Sequence, residues 1–428
     1  MKIAMFTNTY LPHVGGVARS VSTYEEELRR RGHDVRIVAP VFEGADESTT
    51  HVLRTPAVQK FNGSDFSVTI PQPGLIADFL DAFEPDVIHS HHPFLLGDAA
   101  LRAAWTRRLP IVFTHHTMYE QYTRYVPLDS EALQRVAIQM ATEYCNLCTH
   151  VIAPSPSIAE LLVQRQVTTP ISVIPTGIDL ELFGAGDGPR FRRRFGLPPD
   201  ALVVGHVGRL ASEKNLDYLA RATGMFLARH PNAVLLVVGS GEQEEALHQT
   251  VCDLASADRI VMAGKHTGRD LADAYAAMDV FAFSSQSETQ GMVLVEAMAA
   301  RTPVVALDAP GVRDVVDENN GRLLPSDAPA EVFADVLADL SGDRTALGRL
   351  GESARASVRQ YGLETCADRL LQLYAEVIKH RALRRAADYG GWDRLRARLE
   401  IEWNLLVQKT SALAAAVVET EATRTQID

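Results

Sequence analysis

Short β-branched runs alternate with longer stretches of helical period along most of this chain, and no other feature restricts its fold so strongly. Such alternation specifies βα units, with parallel strands joined by crossover helices. In the first half, strands are expected over 3–8, 34–39, 87–90, 111–115, 150–153 and 172–174, with helices over 17–31, 75–83 and 157–165. The pattern restarts with strands over 203–207, 233–238, 260–263, 280–284, 303–306 and 321–324. A turn-rich passage over 175–189 separates the halves. The expectation is an α/β chain with two Rossmann-like βα domains, 1–178 and 179–365, facing a central cleft. Residues 366–428 read as C-terminal helices packing across the domains, ending in a frayed tail. An apolar stripe at Trp392, Leu395, Leu399, Trp403, Leu406 and Leu413 marks one helix face there. A length of 428 residues suits two cores rather than one. Ligands of such folds sit at the carboxyl ends of the strands.

Charge and composition narrow the function. Apolar residues make up 46% and charged residues 22%, enough for sizeable cores. A formal net charge of −12 argues against nucleic acid as a partner, which needs a basic face. The cysteines are Cys145, Cys148, Cys252 and Cys366; Cys145 and Cys148 fall in a helical stretch and read as small buried side chains. The chain opens on a strand without the order of a signal peptide, and no apolar run approaches the ~20 residues needed to span a bilayer. A cytoplasmic location is expected. No feature specifies an oligomeric state.

The richest stretch is Ser287-Glu288-Thr289-Gln290-Gly291-Met292-Val293-Leu294-Val295-Glu296. Its two carboxylates are eight residues apart, one in a polar loop and one on the helix that follows. The helix start at Gly291, Met292 and Val293 offers backbone N–H groups to negative charge. Val293 onwards reads as a buried helix, where an unpaired Glu296 would be costly. Acceptors flanking an anion-binding helix start suit a ligand with phosphates and hydroxyls. Upstream, a strand runs into Gly208-Arg209 and then Glu213-Lys214-Asn215, so Arg209 and Lys214 flank a strand-to-helix turn suited to a diphosphate. The first βα turn carries Gly15-Gly16, where backbone can approach a ligand closely. Histidines end two strands, His89-Ser90-His91-His92 and Thr114-His115-His116-Thr117, and His116 stands where a substrate hydroxyl would lie. No metal-ligand spacing accompanies them, and no metal or other cofactor is expected.

These motifs together resemble glycosyltransferase family 4, the retaining sugar-nucleotide enzymes of GT-B fold, over nearly the whole chain to about residue 380. The resemblance implies that Arg209 and Lys214 hold the donor diphosphate and that Glu296 takes the ribose hydroxyls. It assigns Glu288 to the transferred sugar, with the backbone of Gly291, Met292 and Val293, and His116 to the sugar near its reacting carbon. Gly16, beside Gly15, would let its loop approach the donor phosphate. The donor is then a nucleotide sugar, with UDP-glucose the first expectation. The family is metal-independent, and no two aspartates here have D-x-D spacing. A narrower similarity, over 91–97 and 114–125, is to diacylglycerol glucosyltransferases. It implies a lipid or glycan-pathway hydroxyl as acceptor, an aromatic lip at Tyr119, Tyr122 and Tyr125, and a peripheral membrane contact through 29–31 and 107–108. Two other readings stay open: a non-hydrolysing UDP-sugar epimerase, and a non-catalytic sugar- or lipid-binding protein on the same fold.

Overall fold

The computed structural model describes residues 1–13, 15–46, 49–58, 68–70, 72–120, 131–385 and 401–402, with the side chains of 131 and 381–385 excepted. Tyr122, Tyr125 and the stripe from Trp392 to Leu413 lie outside them, save for residues 401–402. The chain divides into two compact units, Met1–Gly177 with Cys366–Asp428, and Ile178–Thr365.

The first unit is built on seven parallel strands: β1 (Lys2–Phe6), β2 (Asp34–Pro40), β3 (Val52–Thr55), then β6 (Val87–Ser90), β7 (Ile111–Thr114), β8 (His150–Ala153) and β9 (Ile171–Val173). Between them β4 (Ala57–Val58) and β5 (Val68–Thr69) form a small antiparallel pair. The sheet order is β3-β2-β1-β6-β7-β8-β9. Strands β6 and β7 are buried along their whole length, as both faces of a covered parallel sheet require. One face packs against helices Pro73–Phe83, Leu96–Arg107 and Pro156–Gln164. Helix Gly16–Arg30 covers the other face, joined there by Cys366, Leu370, Tyr374 and Val377 of helix Leu363–Arg385. Ile401 is buried in the first of these layers. Sequence reading missed β3, a four-residue run carrying Arg54, whose guanidinium bonds the carbonyls of Leu11 and Pro40.

The second unit has six parallel strands, β10 (Leu202–Val207), β11 (Ala233–Val238), β12 (Ile260–Gly264), β13 (Val280–Phe283), β14 (Val304–Leu307) and β15 (Gly321–Leu324). Their order is β12-β11-β10-β13-β14-β15. The carboxyl ends of β10 and β13 are therefore neighbours, which gathers the residues after Val207 and after Phe283. The chain enters and leaves this unit at one place: Ile178 N–H donates to the Tyr361 carbonyl (2.9 Å), and Leu363 N–H to that of Ile178 (3.0 Å).

Candidate active site

Beyond β10 the chain passes Gly208 and Arg209 into a short helical turn, Ser212–Lys214, then reverses at Asn215 in the left-handed region (φ 55°). The residue after β13 latches this turn, because the Ser284 hydroxyl shares its proton between the carbonyls of Lys214 (3.1 Å) and Asn215 (2.9 Å). Lys214 Nζ meets Glu288 Oε1 at 2.7 Å, and the Ser285 hydroxyl donates to the same oxygen at 2.8 Å. Both side chains are at least four-fifths buried, at 20% and 16% exposed. Burial pushes the Glu288 carboxyl up, but the Lys214 charge and the two hydrogen bonds outweigh it and hold the group below its ordinary value. Arg209 is ion-paired with Glu213, whose side chain is almost wholly buried while Arg209 keeps 37% of its surface. A guanidinium carries five N–H donors, so one carboxylate does not exhaust it.

Helix Met292–Ala299 begins behind Glu288, with Gly291 at its cap in the left-handed region (φ 71°). An l-side chain there would be strained, and a Cβ would lie 2.7 Å from Leu294 Cδ1. Glu296 has no exposed surface, and the Tyr275 hydroxyl donates to its Oε2 at 2.8 Å. Tyr275 stands on helix Gly268–Ala276, and the sequence carried no sign that it would meet Glu296. His206, on β10, is also buried; its Nδ1 lies 3.2 Å from the Ala282 carbonyl, and burial pulls its pKa down to about 4. Gly239 and Gly241, which follow β11, have a packing reason. A Cβ on either would strike the carbonyl of Gly208 or Leu210, at 1.9 and 2.2 Å.

In the first unit, neighbouring β1, β6 and β7 bring the two histidine groups together. His91 is fully buried, and its Nδ1 lies 2.8 Å from His116 Nε2. His89 packs against His91 with ring centres 4.0 Å apart and planes tilted by 35°. Its nitrogens bond Tyr374 Oη (2.6 Å) and Thr114 Oγ1 (2.7 Å). His92 Nδ1 accepts from Asn8 N–H at 3.0 Å, which places its proton on Nε2. Desolvation by burial lowers the pKa of every one of these rings, His89 and His92 to about 3 and His115 to about 4, and His91 and His116 well below the usual value. They are neutral hydrogen-bonding groups at physiological pH. Gly15 caps helix Gly16–Arg30 in extended backbone (φ −167°). A Cβ on Gly16 would touch nothing within 4 Å.

Other residues singled out from sequence take plainer places. Tyr119 packs edge-on against Phe94 and His115, at 5.5 and 5.4 Å between ring centres. Arg29, Arg30 and Arg31 pair with Glu25, Glu27 and Asp368, and Arg107 with Asp81, so these bases carry their own counter-charges. Cys145 and Cys148 are buried free thiols, as expected. Among the described residues no three His, Cys, Asp or Glu side chains are grouped to hold a metal ion, and no helix is long and apolar enough to cross a membrane.

Comparison with known proteins gives the family and supports the fold. The family profile described as Glycosyltransferase Family 4 matches residues 14–182, and that described as Glycosyl transferases group 1 matches 187–357. The chain is 30% identical to the GDP-mannose-dependent alpha-mannosyltransferase of Mycobacterium tuberculosis, over 90% of this chain and 99% of that one. It is 26% identical to the alpha-monoglucosyldiacylglycerol synthase of Acholeplasma laidlawii, over 88% and 98% respectively. Among solved structures, sucrose-phosphate synthase from Thermosynechococcus elongatus superposes with a TM-score of 0.73 at 22% identity, covering 89% of this chain and 99% of that one. With two parallel-sheet units of GT-B type and a relative at this level of identity along its whole length, the chain belongs to glycosyltransferase family 4.

Proposed function

We propose that this protein is a retaining, metal-independent glycosyltransferase that moves a hexose from a nucleoside-diphosphate sugar to a lipid or glycan-pathway hydroxyl. The observation that carries the reading is the joining of Lys214 to Glu288 at 2.7 Å, beside Arg209 and the start of helix Met292–Ala299. Cations, a carboxylate and helix N–H groups converge there at the carboxyl ends of adjacent strands. Arg209 and Lys214 hold the diphosphate, Glu288 and the backbone of Gly291 to Val293 hold the sugar, and Glu296, steadied by Tyr275, takes the ribose. In the reaction the anomeric carbon–oxygen bond to the diphosphate breaks, and the acceptor oxygen bonds the same face of the sugar. The acceptor proton passes to a leaving phosphate oxygen, whose charge Arg209 and Lys214 stabilise. His116 of the first unit serves as a neutral hydrogen-bonding group to the sugar. No metal or other cofactor takes part. UDP-glucose is the first donor to test and GDP-mannose its rival, since the relatives' names include both glucosyl and mannosyl transfer. The reaction belongs on the cytoplasmic side, with peripheral membrane contact where the acceptor is a lipid.

Donor calorimetry and kinetics test the assignment. Arg209→Ala and Lys214→Ala should each weaken donor binding or turnover by about 1.5–3 kcal/mol, the worth of a charge-assisted hydrogen bond. Unchanged donor behaviour in both variants would remove the phosphate site. EDTA should leave turnover intact. Conversion of UDP-glucose to an epimer without acceptor would replace transfer by epimerisation.

A further inference from the structure

His116 does not stand alone. Its Nε2 faces the Nδ1 of His91 at 2.8 Å, with the two ring planes within 22° of parallel. His91 has little freedom to turn away. It is fully buried, its backbone N–H is bonded to the Phe6 carbonyl (2.9 Å), and its ring lies on His89. His89 is fixed in turn from both sides, by Thr114 of β7 and by Tyr374 of the C-terminal helix. A row of buried imidazoles therefore runs from the helix Leu363–Arg385 to the half-buried ring of His116.

The row has a direction. Among the described residues His91 Nε2 is buried with no hydrogen-bond partner. A buried N–H left unbonded is a rarer fault than a lone pair left unbonded, so Nε2 is the bare nitrogen and Nδ1 carries the proton. We propose that His91 is a positioning residue, donating from Nδ1 to His116 Nε2 and thereby fixing His116 as the Nδ1-protonated tautomer that donates to substrate. The inference rests on the reading that places His116 at the transferred sugar. An oriented partner of this kind sets a functional histidine's ring and tautomer, as a carboxylate or carbonyl does behind a metal-bound or catalytic imidazole.

Full-length protein labelled with 15N in its histidines supplies the test, with His116→Gln assigning the signal. The free protein should show His116 protonated on Nδ1 with Nε2 accepting a hydrogen bond. His91→Leu should give mixed tautomers of His116. His91→Asn, whose amide N–H donates from near the place of Nδ1, should restore the single form. In acceptor-free hydrolysis of UDP-glucose and of GDP-mannose, His91→Leu should lower kcat by about tenfold, as for other orienting partners, with the donor KM unchanged. His91→Asn should recover most of that loss. His116 protonated on Nε2, or a His116 tautomer indifferent to His91→Leu, overturns the inference. Hydrolysis by His116→Ala at the wild-type rate would instead overturn the placement of His116 at the sugar, and the 15N spectra would still decide the bond to His91.

Discussion

Lys214 and Glu288 show how the second unit keeps a charged carboxylate in a largely dry place. Burial raises the pKa of Glu288, while the Lys214 charge and the bonds from Lys214 and Ser285 lower it further than burial lifts it. A carboxyl with a depressed folded value contributes stability present above its unfolded pKa and lost as pH falls through the folded one. Removing the ammonium reverses the balance, so in Lys214→Met the Glu288 carboxyl should titrate above 4.5 rather than below it. A 13C titration of labelled glutamate reads this directly; a Glu288 still titrating below 4.5 would refute the pairing. Glu296 makes a second case. The spacing of the two carboxylates and the apolar run around the second were legible, and they demanded a partner for Glu296. That Tyr275 is such a partner was not legible, because helix Gly268–Ala276 comes beside Met292–Ala299 only through packing. Glu213 and Ser285 are local partners, four residues from Arg209 and three from Glu288, and they escaped because the shape of an irregular loop is not written in its spacing. Tyr275→Phe keeps the ring and its packing on Phe183 but removes a hydrogen bond to a buried carboxyl. It should cost about 1–3 kcal/mol of stability in the second unit, seen as a lowered melting temperature, and it should weaken donor binding.

At the scale of elements, the βα rhythm fixed nearly every strand within a residue or two, since buried parallel strands need continuous apolar runs and little else. What the rhythm does not carry is how the loops at the strand ends fit together. Gly311 is the clearest example. It sits in the left-handed region (φ 74°), and a Cβ there would lie 2.6 Å from the Thr289 carbonyl carbon and 2.7 Å from Gln290 N. The loop after β14 thus presses backbone to backbone on the loop that carries Glu288. Unlike a flexible side chain, that backbone cannot step aside, so Gly311→Ala must displace the motif. The expected result is a lower melting temperature, with a left-handed alanine alone costing about 1–2 kcal/mol, and donor affinity reduced with it. Gly348 is a fitting control, since it lies exposed in helix Arg344–Ser357 with nothing within 4 Å of a Cβ. Gly348→Ala should stabilise by about 0.5–1 kcal/mol and leave donor binding unchanged. Equal effects of the two substitutions on donor affinity would contradict this account of the loop.

Across the whole molecule the histidines are distributed unevenly, and that asymmetry dictates how it meets acid. In the first unit His33, His51, His89, His91, His92, His115, His116 and His150 all have lowered pKa values, burial being the largest cause for each. In the second unit a lowered value is found for His206. An imidazole held neutral by burial binds its proton only on unfolding, so its contribution is complete above the unfolded value of 6.5. It is lost as pH falls toward the folded value, at up to about 1.4 kcal/mol per pH unit for the buried His89, His91 and His115, and by less for His33, His51, His92, His116 and His150, which keep exposed surface where water screens the charge. Glu25, raised by burial, runs the other way, but as one group against eight. Depressed carboxyls such as Glu288 begin to lose stability only below 4.5, so the window from 6.5 down to 4.5 belongs to the histidines. The first unit should therefore melt earlier than the second as pH is lowered through that window, and calorimetry at pH 5 should separate two transitions. Trp105 is the one tryptophan among the described residues and belongs to the first unit, so with Trp392 and Trp403 replaced by Phe the tryptophan fluorescence follows that unit. Its midpoint should fall with the earlier transition. A fluorescence midpoint that stays constant between pH 7 and 5, or that follows the later transition, would mean that the buried imidazoles do not govern the acid stability of the unit that holds His116.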